Sequence, residues 1–119
     1  MTQPVNEGDL LWSPSPDDID AANITDYIRW LAAERDLHFA DYDALWTWSV
    51  TEVGPFWGSL CDYFGIVFHD IPHKALASLD MPGAQWFPGG TLNYAENIFA
   101  HMKREGPVVI EANEGGEID

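Results

Sequence analysis

Lysine and arginine are scarce in this sequence. Its 119 residues include 5 Lys and Arg against 20 Asp and Glu, which gives a formal net charge of −15 at pH 7. Nucleic-acid binding depends on clustered basic side chains that neutralise phosphates, and anionic lipid surfaces attract such clusters for the same reason. The composition therefore predicts no nucleic-acid partner and no membrane partner.

Cysteine and long apolar runs are lacking too. Cys61 is the single cysteine, which excludes an intrachain disulfide, and its place on an apolar helical stripe predicts a buried thiol rather than a nucleophile. No apolar run approaches the roughly 20 residues that span a membrane, and Met1–Asp9 lacks the basic start and apolar centre of a signal peptide. We therefore expect a cytoplasmic protein.

Helix signals organise the first 65 residues. Ser15 with Pro16 and Asp18 predicts one short turn, and Asn23 is predicted to cap a helix to about Arg35. Two aromatic helices follow, begun by Asp41 and Pro55, the second ended by Gly65. Their expected faces are Tyr42, Leu45, Trp46 and Ser49, with Trp48 roughly opposite, and Phe56, Leu60 and Phe64, with Trp57 and Cys61 alongside. Helices apolar on two sides are usually sandwiched, so the six tryptophans predict core and interface area rather than a ligand pocket.

The remaining residues predict a connection, a helix and part of a strand pair. Residues 66–90 are expected to be a long irregular connection, and Thr91 to cap a helix that carries Leu92, Ala95, Phe99 and Met102 and stops at Gly106-Pro107. Residues 107–112 have strand composition, 113–116 form a turn signal, and 117–119 would begin a returning strand. An unpaired strand predicts that the chain is the beginning of a larger protein.

Residues 81–101, MPGAQWFPGGTLNYAENIFAH, are the strongest candidate for a phosphate-binding loop, because a Gly-rich turn that opens a helix can cradle an anion. Gly83, Gly89 and Gly90 match neither the P-loop nor the dinucleotide-binding spacing, and no Lys or Arg lies between Lys74 and Lys103. The pattern favours a hinge whose glycines allow a turn through positive φ.

Other candidate sites are weak. His69 and His73 have metal-ligand spacing, but Pro72 interrupts a shared helical face and no third ligand is evident. The remaining histidines, His38 and His101, are isolated. The acidic pairs Asp17-Asp18 and Asp41-Asp43 are better explained as helix caps and solvated faces than as general acids and bases. We therefore predict no catalytic, cofactor-binding or metal-binding residue.

Four segments carry a resemblance to a known family. They are DYDALWTWSV at 41–50, FW at 56–57, MPGAQWFPG at 81–89 and LNYAEN at 92–97. With their spacing, from about Leu11 to Phe99, they resemble the N-terminal region of the acetoacetyl-coenzyme A synthetases, which are adenylate-forming ligases. The related acetyl- and propionyl-coenzyme A synthetases share part of this pattern but usually lack the Tyr-Ala-Glu-Asn sequence.

The resemblance implies a parent enzyme that activates acetoacetate with Mg-ATP and transfers the acyl group to coenzyme A, releasing AMP. The implied fold is mainly α, with about four to five helices and a C-terminal strand that starts the α/β adenylation domain. Residues 1–12 would be a flexible arm, 13–90 the helical N-terminal domain, and 91–119 the start of the adenylation domain, which would be the intramolecular partner. These 119 residues would brace that domain without catalysis; the alternatives are a free-standing acidic, Trp-rich interaction module or a piece of a related short-chain acyl-CoA synthetase.

Overall fold

The computed structural model describes residues 5–100, which form five helices and a small antiparallel sheet. The helices are α1 (Pro16–Ala21), α2 (Asn23–Arg35), α3 (Tyr42–Thr51), α4 (Val53–Tyr63) and α5 (Tyr94–Ala100), and the strands are β1 (Leu76–Ser78) and β2 (Gln85–Trp86). The mainly helical prediction is confirmed. The predictions for His101, Met102, the Gly106-Pro107 stop, the strand at 107–112 and the turn and strand at 113–119 lie outside the described residues.

The predicted cap of α1 is confirmed, and the predicted cap of α2 is wrong. The Ser15 hydroxyl accepts from the Asp18 N–H at 3.2 Å, and the Ser15 N–H donates to the Asp18 carboxylate at 2.9 Å, so the predicted start of α1 is confirmed. Asn23 does not cap α2. It is the first helical residue, and Ala22, whose extended backbone ends α1, occupies the N-cap position. The Ala22 carbonyl already accepts the Thr25 and Asp26 N–H groups, so the cap position lies one residue before Asn23.

Helix α3 begins as predicted, and only part of its predicted shared face meets the core. The Asp41 carboxylate accepts from the Ala44 N–H at 2.8 Å, which caps the helix. Leu45 is buried and Trp48 packs beside it, whereas Tyr42 and Trp46 are exposed. The predicted shared face is therefore divided, with Leu45 buried and Tyr42 and Trp46 exposed, because the neighbouring helices cover only the Leu45 and Trp48 side.

Helix α4 has the predicted ends. Pro55 lies in its first turn, and Gly65 follows its last residues with a φ of +61°, a conformation that favours glycine. Phe56 and Leu60 pack against the core, but Phe64 is 59% exposed, so the predicted row divides between core and surface.

The core is small and lies between α2, α3 and α4. Its buried members are Tyr27, Leu31 and Leu45, with Leu31 fully buried. Partly buried side chains surround them, namely Ile28, Trp30, Leu37, Phe39, Trp48, Phe56, Leu60 and Tyr63. Ser59 donates to the Phe56 carbonyl and accepts from the Tyr27 hydroxyl at 2.6 Å, so the polar groups within the core are paired.

The 66–90 connection contains a hairpin that the sequence did not predict. Strand β1 pairs antiparallel with β2, with Leu76 opposite Trp86 and Ser78 opposite Gln85. The hairpin approaches α4 closely, because a Cβ atom on Gly54 would lie 3.6 Å from Leu76 and one on Gly58 would lie 3.7 Å from Ala75. Trp57 of α4 meets Trp86 of β2 edge to face, with ring centroids 5.8 Å apart.

Helix α5 also begins differently from the prediction. Asn93, not Thr91, caps it: the Asn93 side chain accepts from the Glu96 N–H at 3.1 Å. The Thr91 hydroxyl instead donates to the Asp70 carboxylate at 2.6 Å, and its backbone forms an antiparallel bridge with Asp70. Thr91 does not cap the helix because its hydroxyl is bonded to Asp70, which lies in another segment of the chain.

Candidate docking surface

Two backbone N–H groups of the loop before α5 are hydrogen-bonded to backbone carbonyls. Gly83 and Gly89 have φ values of +107° and +78°. The Phe87 N–H donates to the Ala75 carbonyl at 2.9 Å, and the Gly90 N–H donates to the Phe87 carbonyl at 3.0 Å. A Cβ atom on Gly90 would meet Pro72 at 3.1 Å, so the third glycine serves a close contact. The glycines serve turn geometry and close packing here.

The described histidines that the sequence singled out each contact a different residue. His69 pairs with Glu96 of α5, the His73 ring packs 3.6 Å from where a Cβ of Gly89 would lie, and His38 contacts Asp36 at 3.1 Å. Asp18 and Asp41 are helix caps, as described above. Among residues 5–100 there is no group of three His, Cys, Asp or Glu side chains placed to hold a metal ion.

A ladder of polar contacts holds α5 to the segment before the hairpin. Asn97 accepts from the Val67 N–H at 2.7 Å and donates back to the Val67 carbonyl at 3.0 Å. The His69 N–H donates to the Thr91 carbonyl at 2.8 Å, and the Thr91 N–H donates to the Asp70 carbonyl at 3.2 Å. These contacts fix the start of α5 although none of its described residues is buried.

Three side chains on α3 form an exposed apolar stripe. Tyr42, Trp46 and Val50 are 61%, 55% and 51% exposed and follow one another at intervals of four residues. At 3.6 residues per turn this spacing places them on one side of the helix, away from Leu45 and Trp48. Scattered exposed apolar residues are ordinary, but an aligned row that includes a Trp and a Tyr is typical of a binding surface.

The stripe is continuous with a groove between α1, α2 and the start of α3. The groove has a volume of about 700 Å³ and includes Tyr42 in its lining. We define the α3 surface as the stripe together with the exposed apolar residues of the groove, namely Trp12, Ile19, Ile24, Tyr42, Trp46 and Val50. Asp18 and Asp41 also line the groove, and no described Lys or Arg does.

A second groove of about 750 Å³ lies between the end of α4 and α5. Its lining is mainly Phe64, Ile66, Leu92, Tyr94 and Ile98, with Asp26 and Tyr63 among the polar members. The Tyr63 hydroxyl donates to the Asp26 carboxylate at 2.7 Å, and this hydrogen bond raises the pKa of Tyr63 above its ordinary value.

The single thiol lies on α4 and is half-buried. Burial raises the pKa of Cys61, and the neighbouring Asp62 carboxylate raises it further. A thiol with a raised pKa is a poor nucleophile, because the thiolate is the reactive form. Cys61 was predicted to be buried, and the structure leaves it partly exposed.

The helices of the described range are too short or too polar to span a membrane. Three of the five basic residues fall in that range, and two of them are paired: Arg29 with Asp20 and Arg35 with Asp62. The site that the geometry presents is an exposed apolar surface with an acidic border.

Comparison with known proteins shows which family the chain resembles. Residues 42–98 match the family described as acetyl-coenzyme A synthetase N-terminus. A solved structure of acetoacetyl-CoA synthetase from Streptomyces lividans is similar to the chain, with a TM-score of 0.69 and 40% identity over 74% of the chain. The predicted resemblance to the N-terminal region of acetoacetyl-CoA synthetases is thereby confirmed.

Two further relatives give the range of this similarity. The acetoacetyl-coenzyme A synthetase of Rhizobium meliloti is 35% identical over 89 residues, and the malonamoyl-CoA synthetase of Penicillium aethiopicum is 36% identical over 87 residues. The matched part covers 74% and 66% of this chain but 14% and 12% of these enzymes, and 14% of the Streptomyces enzyme. The chain thus spans about one seventh of the relatives that it matches.

Proposed function

We propose that the chain is the N-terminal part of an ATP-dependent acetoacetate–CoA ligase and that it braces the adenylation domain of that enzyme. The ligase would convert acetoacetate, ATP and coenzyme A to acetoacetyl-CoA, AMP and diphosphate in the cytoplasm. The observation that carries the proposal is the similarity to the Streptomyces lividans enzyme, at 40% identity with a TM-score of 0.69. Residues 13–90 would form the helical N-terminal domain after an arm at 1–12, and residues 91–119 would begin the adenylation domain.

The described residues fit a bracing role better than a catalytic one. The Asp18 carboxylate accepts from the Ser15 N–H at the start of α1, and Asp41 caps α3. In the glycine loop, the Phe87 and Gly90 N–H groups are hydrogen-bonded to backbone carbonyls. The grooves are lined mainly by apolar side chains and carry no Lys or Arg among residues 5–100. ATP, Mg²⁺ and coenzyme A do not fit these linings, so we propose that the rest of the ligase binds them.

The exposed apolar side chains support an intramolecular partner. Large hydrophobic residues with more than half of their surface exposed occur on the arm, on α3 and on α5, for example Trp12, Trp46 and Phe99. Burying a large apolar side chain contributes about 1.5–3 kcal/mol, so covering several of them would stabilise both partners. The adenylation domain is the partner that the ligase proposal supplies.

Two candidate acyl groups remain for the proposed ligase. The similarity to a malonamoyl-CoA synthetase favours, as a second candidate, a ligase for a related short acyl group. Both candidates give this chain the same bracing role, and they differ in the substrate that the whole enzyme would accept.

A chimera tests the bracing role. The segment of the Streptomyces lividans synthetase that matches this chain is replaced by the chain, and acetoacetyl-CoA formation is measured beside the same enzyme with the segment deleted. We expect the deletion to lose at least about tenfold of the activity, equivalent to about 1.4 kcal/mol, and the chimera to recover it. A chimera no more active or soluble than the deletion would contradict the proposal.

A further inference from the structure

We propose that the α3 surface docks onto an apolar area of the adenylation domain that is bordered by lysine or arginine side chains. This inference rests on the proposed function and adds to it which face of the chain docks and what chemistry meets it. The α3 surface consists, as defined above, of Trp12, Ile19, Ile24, Tyr42, Trp46 and Val50.

The shape of the surface supports docking of a protein rather than binding of a small molecule. The stripe runs along α3 from Tyr42 to Val50, a rise of about 12 Å at 1.5 Å per residue, and continues into the groove through Tyr42. Trp and Tyr supply large contact area at low cost in side-chain entropy, and they are enriched at the centres of protein interfaces. Trp46 lies in the middle of the stripe and is the expected anchor.

The negative charge around the α3 surface favours a partner with basic side chains. Asp18 and Asp41 line the groove, Asp43 lies one position along α3 from Tyr42, and the groove carries no described basic residue. Complementary potentials favour a partner with Lys or Arg at matching positions, and an arginine can in addition stack on an exposed Trp or Tyr ring. A second copy of this chain is a poor partner, since each copy carries −15.

The acidic border is tested with a matched pair of substitutions in the chimera. Asp43 is the second residue of α3 and Asp17 the second residue of α1; both are exposed, so each replacement has a similar effect on its helix dipole. We expect the difference in melting temperature between Asp43→Lys and Asp17→Lys to be at least about 2 °C larger in the chimera than in the 119-residue chain alone, where only the helices themselves are affected. An equal difference in the chimera and in the chain alone would overturn the charge part of the inference.

The apolar stripe is tested with a second pair. Trp46→Glu replaces the expected anchor, and Ile71→Glu replaces an apolar residue that is 81% exposed outside the α3 surface. In the chimera, Trp46→Glu should lower the melting temperature well beyond Ile71→Glu. In the 119-residue chain alone the two variants should melt alike, because neither side chain belongs to the core. A chimera that tolerates Trp46→Glu as well as Ile71→Glu would overturn the inference.

The design separates two kinds of failure. If the chimera is active but neither pair differs, the docking surface is wrong and the bracing role stands. If the chimera is inactive or insoluble, the proposed function fails, and docking is then measured by calorimetry between the 119-residue chain and the segment-deleted synthetase. There we expect Trp46→Glu to weaken binding at least about tenfold and Ile71→Glu to leave it unchanged; absence of binding, or equal binding by both variants, would count against docking.

Discussion

The hydrogen bond between Tyr27 and Ser59 is the main polar contact in the core. Ser59 donates to the Phe56 carbonyl, so it accepts from the Tyr27 hydroxyl, and both residues are buried. Ser59→Ala leaves the Tyr27 donor without a partner and should cost about 1–3 kcal/mol of unfolding free energy. Tyr27→Phe leaves Ser59 bonded to Phe56 and should cost less, about 0.5–1.5 kcal/mol. Urea unfolding measures both, and the reverse order would contradict the assigned donor.

Titration of Tyr27 and Cys61 should make the chain less stable in alkali. Burial raises the pKa of each group, so the folded chain keeps protons that the unfolded chain releases. Their stabilising contribution is complete below the unfolded pKa values and falls as pH rises past about 8.5 for the thiol and about 10 for the phenol. Unfolding free energy measured from pH 7 to 10.5 should decline, and Cys61→Ala should remove the earlier part; a flat profile would be contrary to this account.

The helix caps show how far the type of a single residue predicts where a helix begins. Ser15 and Asp41 were predictable because each side chain bonds only within its own helix turn. Asn23 and Thr91 have equally good capping side chains, but Ala22 already takes the cap position of α2 and Asp70 binds Thr91 from another segment. Such competition depends on the fold and cannot be predicted from the residue type.

At the scale of helices, the two confirmed caps should act differently when removed. Helix α1 has no buried residue, so Ser15→Ala should fray it locally, with the amides of Asp18 and Ile19 exchanging roughly fivefold faster. Helix α3 holds the buried Leu45, so Asp41→Ala should lower the global unfolding free energy by about 1 kcal/mol. Hydrogen exchange and urea unfolding distinguish the two; a global loss from Ser15→Ala would be unexpected.

Helix α5 should depend on Asn97. Its side chain makes two hydrogen bonds to the Val67 backbone, and Asn97→Ala removes both. We expect the Val67 amide to exchange at least about tenfold faster, a change equivalent to about 1.4 kcal/mol, while the core amides are unaffected. Asn6→Ala, on the arm, is the control. Unchanged exchange at Val67 would show that the other contacts of the ladder suffice.

The elements also show where periodicity stops being informative. It grouped Tyr42, Leu45 and Trp46 on one face of α3, but it could not indicate that the neighbouring helices cover Leu45 and leave Tyr42 and Trp46 exposed. The hairpin was not predicted because its strands have three and two residues and rest on contacts with α4 at Gly54 and Gly58. Alternation over so few residues carries no signal.

At the scale of the whole molecule, the chain should behave as a protein with uncovered apolar surface. The 119-residue chain is expected to bind a hydrophobic dye, because the large exposed residues include Trp12, Trp46 and Tyr94. Trp46→Glu should lower the dye fluorescence more than Ile71→Glu. A monodisperse monomer that melts cooperatively and binds no dye would contradict the bracing account.

The docking surface could be predicted only in part. Abundant Trp and two-sided helices indicated an interface, and the resemblance indicated the family. The sequence could not indicate that Trp12, Ile24 and Tyr42 line one groove, since 30 positions separate the first from the last and the fold alone brings them together.

The coding sequence that follows the codon for Asp119 tests the central claim most directly. If the chain is the N-terminal part of an adenylate-forming ligase, the reading frame should continue into a Ser/Thr/Gly-rich loop with a lysine and then into a C-terminal domain with a catalytic lysine. A stop codon directly after Asp119 would contradict this account and favour a free-standing interaction module.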